Sequence, residues 1–221
     1  RAAKDPRAMN HHLKFYVDGC WVDPVEAHRM PVIDPATEEA YTEISVGSSA
    51  DVDRAVAAAR AAFPKFAATT KDERLAMLRR MLKAYNDRYE DIAEAVSREM
   101  GAPLAFARDS QAWAGRAHME ATIAGFEAME LTAKRGTTTI VYEPIGVCAL
   151  ITPWNWPLNQ IAVKVYPALA TGCTMVLKPS EVAPFSAYIF TEILDAAGVP
   201  AGVYNLVNGD GPGVGVALAS H

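Results

Sequence analysis

The chain has 221 residues, 21 Lys and Arg against 26 Asp and Glu, a net charge of −5, and 51% hydrophobic residues. This balance excludes a disordered chain, and its sign excludes a protein that holds nucleic acid or another polyanion by bulk charge. No run reaches the ~18 apolar residues of a membrane helix, so no membrane partner is expected, and three cysteines make no disulfide framework, which points to a reducing, cytoplasmic setting.

Residues 1–10 carry no periodicity and read as a tag or a disordered arm. His11 and His12 are adjacent, so on a strand they point apart and do not share an ion; no metal site is expected. Phe15 and Val17 alternate, Asp18-Gly19 is a hairpin signal, and Trp21 and Val22 resume, which predicts strand–turn–strand over 13–22. Short strands are predicted at 30–33 and 40–46 around the turn Asp34-Pro35-Ala36-Thr37.

The hydrophobic period then changes from two to 3.6. After Ser48-x-x-Asp51, the residues Val52, Val56, Ala59 and Phe63 predict a helix that Pro64 ends. Thr70-x-x-Glu73 opens a second stripe of Leu75, Leu78, Leu82, Tyr85, Tyr89, Ile92 and Val96. It reads as one packed helix stopped by Gly101, too short for a coiled coil. A less regular helical region covers 103–131. The β-prone run Thr137 to Tyr142 carries little charge, and it is either an internal strand or an edge that pairs with another subunit.

From Gly146 the pattern becomes βαβαβα. Apolar strands are predicted at 147–151, 174–177 and 203–207, with helices at 159–169 and 185–197 and another starting at Gly213. The first strand is continuous in its apolar character, as in a strand buried on both faces. The alternation predicts a doubly wound parallel α/β sheet, with ligands at the carboxyl ends of its strands. Attention therefore falls on three loops.

Thr152-Pro153-Trp154-Asn155-Trp156-Pro157 places one amide between two indoles and two prolines. The Asn155 amide either donates to a developing oxyanion or caps the helix starting near Leu158. In Lys178-Pro179-Ser180-Glu181 the lysine and the carboxylate either hold a ribose diol or form a surface ion pair. The glycines of 209–215 match G-x-G-x-x-G in no register and read as a turn into a helix.

Taken together, Glu143-Pro144-Ile145-Gly146-Val147, Thr152-Pro153-Trp154-Asn155-Trp156-Pro157, Pro167-Ala168-Leu169-Ala170-Thr171-Gly172-Cys173 and Lys178-Pro179-Ser180-Glu181 resemble the NAD(P)-dependent aldehyde dehydrogenase superfamily in order and spacing. A weaker likeness extends back to about Phe15. The resemblance implies a Rossmann-like cofactor domain, with residues 11–134 as its N-terminal helical and β part, 135–145 as an oligomerisation strand, and 146–221 as an incomplete NAD-binding part. It implies that Ile151, Thr152, Pro153 and Trp154 line the nicotinamide side. Lys178 and Glu181 would hold the adenosine ribose, Ser180 would belong to the same cofactor site, and Gly211 and Pro212 would lie near the adenine. Asn155 is similar to the family's oxyanion amide, and Trp156, Gln160 and Val163 match positions along the substrate tunnel.

The implied reaction oxidises an aldehyde to a carboxylic acid through a cysteine thiohemiacetal and thioester. NAD is expected over NADP, because the Glu181 charge repels a 2′-phosphate. A homodimer or homotetramer is expected. The family's nucleophile stands in a Gly-Gln-x-Cys-like setting and its base in a Glu-Leu-Gly-Gly-like one, and neither occurs here. Cys20, Cys148 and Cys173 read as packing residues. The chain is therefore expected to be the N-terminal portion of a longer enzyme, inactive by itself. The alternatives are a non-catalytic short paralogue that binds a nucleotide or partner, and a piece that works only with a second chain.

Overall fold

The computed structural model describes residues 11–26 and 28–221; the arm read at residues 1–10 lies outside them. Asp18 and Gly19 both take positive φ, 53° and 76°, the twist a two-residue hairpin needs. They join β1 (Phe15–Val17) to β2 (Cys20–Val22). The His11 ring stacks on Trp21 at 4.5 Å, which ties it to this hairpin. β3 (His28–Asp34) and β4 (Glu39–Val46) form a separate antiparallel pair that buries Val32 and Ile44.

α1 (Ser49–Ala67) starts at the predicted box, where the Ser48 N–H donates to Asp51 Oδ2 at 3.0 Å. It runs through Pro64 rather than ending there. The ring removes one bond, to the carbonyl of exposed Arg60, and Phe66 beyond it is buried. The second stripe is two helices, α2 (Lys71–Asp87) and α3 (Tyr89–Met100), broken at Arg88 with φ −111° and ψ 12°. The Arg88 guanidinium holds Asp91 and Glu192 across the break. Burial of Leu75, Leu78, Tyr85, Ile92 and Val96 continues through it, so the period conceals the corner.

α4 (Leu104–Phe106) leads into a π-helical turn, Ala107–Ala112, and then α5 (Trp113–Ala128). β5 (Thr132–Arg135) and β6 (Thr138–Val141) form an isolated hairpin; its first strand escaped the sequence reading because the segment 132–135 is polar. Parallel strands β7 (Val147–Ile151), β8 (Thr174–Lys178) and β9 (Tyr204–Leu206) alternate with α6 (Pro157–Ala170) and α7 (Phe185–Ala196). A second π-helical turn, Gly211–Gly215, precedes α8 (Val216–Ala219).

The main sheet has the order β2-β1-β9-β8-β7, with β1 antiparallel to β9. It is a Rossmann-type sheet made mixed by the N-terminal hairpin, whose place in it the local sequence pattern does not specify. Alternation sends Phe15, Val17, Val176 and Val207 to a core under α1 and α8. Tyr16, Met175, Leu177, Tyr204 and Leu206 face the larger core that includes residues of α2, α3, α5, α6 and α7. β8 is buried throughout. β7 is not buried on both faces as its composition predicts: it is an edge strand in this chain, and Ile151 is 43% exposed. Among the described residues no helix is long and apolar enough to cross a membrane.

Candidate functional site at the carboxyl ends of the parallel strands

The parallel register brings the three loops to one end of the sheet. Ile151 lies opposite Lys178, the Thr152 N–H donates to the Lys178 carbonyl at 3.1 Å, and the Val207 N–H donates to the Leu177 carbonyl at 3.0 Å.

The first loop excludes one of the two readings of Asn155, the helix cap. Trp156 is the residue before α6 and Pro157 the first within it, so Asn155 is not the cap. Asn155 is exposed, and among the described residues its side-chain amide has no hydrogen-bond partner. Its backbone carbonyl accepts from Gln111 Nε2 at 3.4 Å. Thr152 is buried, with its Oγ1 unpaired. Pro153 and Trp154 are exposed, and Trp156 is half-buried with its ring edge to Phe106 at 5.6 Å. In the following helix the Gln160 side-chain oxygen accepts from Lys164 Nζ at 3.0 Å, Asn159 bonds His118 at 2.6 Å, and Val163 is exposed.

In the second loop the lysine is buried. Lys178 is 3% exposed, and its Nζ donates to the Pro179 carbonyl at 3.1 Å and to Glu181 Oε2 at 3.0 Å. The pair is therefore not an exposed surface ion pair. The Ser180 hydroxyl oxygen accepts from the Val182 N–H at 3.2 Å, so it closes the turn.

In the third loop Asp210 caps the π-helical turn, its Oδ1 accepting from the Gly213 N–H at 2.7 Å. Gly211 and Pro212 are exposed, and a side chain at Gly211 would meet nothing within 4 Å. Gly215 is set against the Asp210 carbonyl and the Lys178 stem, 3.4 and 3.8 Å from an added Cβ. Gly209 and Gly213 are small because Val214 and Asp210 occupy the adjoining space.

Lys178 and Glu181 are thus brought together, and Gly215 joins them. Asn155 and the tunnel candidates lie on a separate loop and helix at the same end. Sequence reasoning missed Gln111 and Phe106, whose contacts with this loop, to Asn155 and Trp156, span at least 44 residues and leave no local signal.

The cysteines lie elsewhere. Cys20 is exposed, which corrects its reading as a packing residue. Cys173, just before β8, is buried, and Cys148 is half-buried on β7. The mutual hydrogen bond of the two thiols raises the pKa of Cys148 and lowers that of Cys173. This pair sits toward the amino ends of its strands, away from the loops. Among the described residues no three His, Cys, Asp or Glu side chains cluster as metal ligands.

The sequence profile of the aldehyde dehydrogenase family matches residues 21–221. The chain is 53% identical over 214 residues to a 3-succinoylsemialdehyde-pyridine dehydrogenase from Pseudomonas sp, a match covering 96% of this chain and 45% of that protein. A mutant of aldehyde dehydrogenase C from Pseudomonas syringae, crystallised with NAD+ and octanal, superposes with a TM-score of 0.94 at 47% identity, over 98% of this chain and 44% of that one. An aldehyde dehydrogenase from Bartonella henselae gives 0.93 at 47% identity, over 95% and 45%. The chain thus spans under half the length of these relatives.

Proposed function

This chain belongs to the aldehyde dehydrogenase family, and on that premise we propose that it supplies the oxyanion donor and part of the cofactor site of an enzyme that oxidises an aldehyde to a carboxylic acid with NAD. The observation that carries the proposal is the pairing of buried Lys178 with Glu181 at the same sheet end as the unengaged Asn155 amide.

The residues present fit NAD. Two of the three Lys178 donors are engaged, leaving one for a ribose hydroxyl. Glu181 has a second oxygen to accept from the diol, and its charge disfavours a 2′-phosphate. The unpaired Thr152 Oγ1 stands beside Ile151, Pro153 and Trp154, which would line the nicotinamide side. Ser180 shapes the ribose loop, and the open space at Gly211, next to Pro212, suits an approaching adenine. When bound, the nicotinamide takes the hydride.

Asn155 donates its NH₂ to the oxygen that becomes negative when a cysteine thiolate adds to the aldehyde. Trp156 and Val163 supply an apolar wall to the substrate. Gln160 keeps its NH₂ for a substrate acceptor, its oxygen being held by Lys164. The β5–β6 hairpin serves assembly into a homodimer or homotetramer, supported by the exposed Val141 and Tyr142 at its end. The 221 residues contain neither the Gly-Gln-x-Cys nor the Glu-Leu-Gly-Gly setting, so by themselves they have no dehydrogenase turnover.

The test compares aldehyde-dependent NAD reduction by the full-length protein and by the 221-residue chain. Turnover is expected only in the former. Turnover by the short chain, or none by the full-length protein across a panel of aldehydes, refutes the proposal.

A further inference from the structure

We propose that Gln111 is a positioning residue for Asn155: its amide ties down the Asn155 backbone so that the side chain stays aimed at the reacting oxygen. The inference rests on the oxyanion role given to Asn155 above.

The Asn155 segment has few restraints of its own. It lies between the end of β7 and the start of α6, and its flanking Pro153 and Pro157 have no N–H to donate. Among the described residues, the bond from Gln111 Nε2 to the Asn155 carbonyl is the one hydrogen bond Asn155 makes. The orientation of the Gln111 amide follows from chemistry: its oxygen turned to that carbonyl would set two acceptors face to face. The NH₂ must face it, and it also reaches Met100 Sδ at 3.4 Å.

Gln111 is fully buried, and its Oε1 has no partner. A hydrophobic side chain would fill the same space without an unpaired acceptor, so an amide here is costly to stability. Its bond to Asn155 accounts for its presence. Gln111 also stands in the π-helical turn between α4 and α5, an insertion that bulges the helix and recurs at functional sites. Phe106, just before the same turn, sets its ring against Trp156 at 5.6 Å. One irregular segment therefore braces two successive residues of the Asn155 loop.

The test is a double-mutant cycle in the full-length protein with Gln111→Met, Asn155→Ala and the pair. Met keeps the volume and removes the donor. Gln111→Met is expected to lower kcat about tenfold, the worth of one hydrogen bond, with KM for NAD unchanged. In the Asn155→Ala background it is expected to cost nothing more. Gln111→Glu gives a second readout. Its buried carboxyl can donate to the carbonyl only while protonated, so kcat of this variant is expected to fall with rising pH through an ionisation the parent lacks. Effects of Gln111→Met and Asn155→Ala that multiply overturn the positioning role and leave the oxyanion role standing. A normal kcat for Gln111→Met, counted per folded site, also overturns it. A normal kcat for Asn155→Ala overturns the oxyanion role and this inference with it.

Discussion

Replacing Glu99 by Gln is expected to remove a specific pH dependence from the stability of the fold. Glu99 lies on α3 with 1% of its surface exposed. Its carboxylate accepts the N–H groups of Phe185 and Ser186, at 2.5 and 3.1 Å, the first two residues of α7. Pro184 precedes that helix and makes no side-chain cap, so a carboxylate from another helix does the capping. Burial nevertheless dominates and pushes the acid from 4.5 up to about 7, against the lowering effect of the Ser186 and Phe185 hydrogen bonds. A raised folded-state value means that the folded protein holds the proton more tightly than the unfolded chain. The stabilisation is therefore complete below 4.5 and is lost as the pH rises through 7. At ~1.4 kcal/mol per pH unit the group contributes about 3 kcal/mol in acid, most of it gone by pH 8. Urea unfolding followed by circular dichroism at pH 5 and pH 8 measures this. The parent is expected to lose roughly 2–3 kcal/mol more than Glu99→Gln over that interval. Equal losses in the two proteins would refute the argument.

Three further outcomes are expected. Asn155→Ala in the full-length protein lowers kcat by roughly 10²–10³ with KM for NAD unchanged, as steady-state kinetics will show; a near-normal rate removes the oxyanion role. Glu181→Gln narrows the preference for NAD over NADP by roughly tenfold in kcat/KM, and an unaltered ratio means that this carboxylate does not face the ribose. Gly202→Ala destabilises by at least ~2 kcal/mol in thermal or urea melts, because Gly202 takes φ +76° and a Cβ there would lie 2.8 Å from the Ala58 carbonyl oxygen on α1. Gly198, at φ +73° with open space around it, provides the control. Its Ala variant loses only the backbone term of ~1 kcal/mol, and equal losses at the two sites would discard the Ala58 clash.

Features set by neighbouring residues were legible in the sequence. The Asp18-Gly19 hairpin, the Ser48 and Thr70 boxes and the helix stop at Gly101 depend on contacts within four residues, and each stands where expected. The corner at Arg88 was not legible, because the buried stripe passes through it unchanged. Pro64 misled because a proline in the last turn of a helix removes only one bond, here on an exposed face. The apolar run of β7 reports a tendency to be buried, whereas the strands beside it are set by the tertiary structure, which in this chain places β8 on one side of it.

The same division holds at the site. The carboxyl-end loops, the family resemblance and the candidates Asn155, Lys178 and Glu181 came from chain order and local motif. The tertiary structure decided that Asn155 caps no helix, that Lys178 is buried rather than on the surface, and that the Phe106–Gln111 segment braces the Asn155 loop. It also decided that Tyr16 pairs with Leu206 to make the sheet mixed, and that Glu99 caps a helix 86 residues away. Periodicity and caps are written in neighbouring residues. Burial, pairing and orphaned polar groups are set by residues distant in the chain, which only folding brings together.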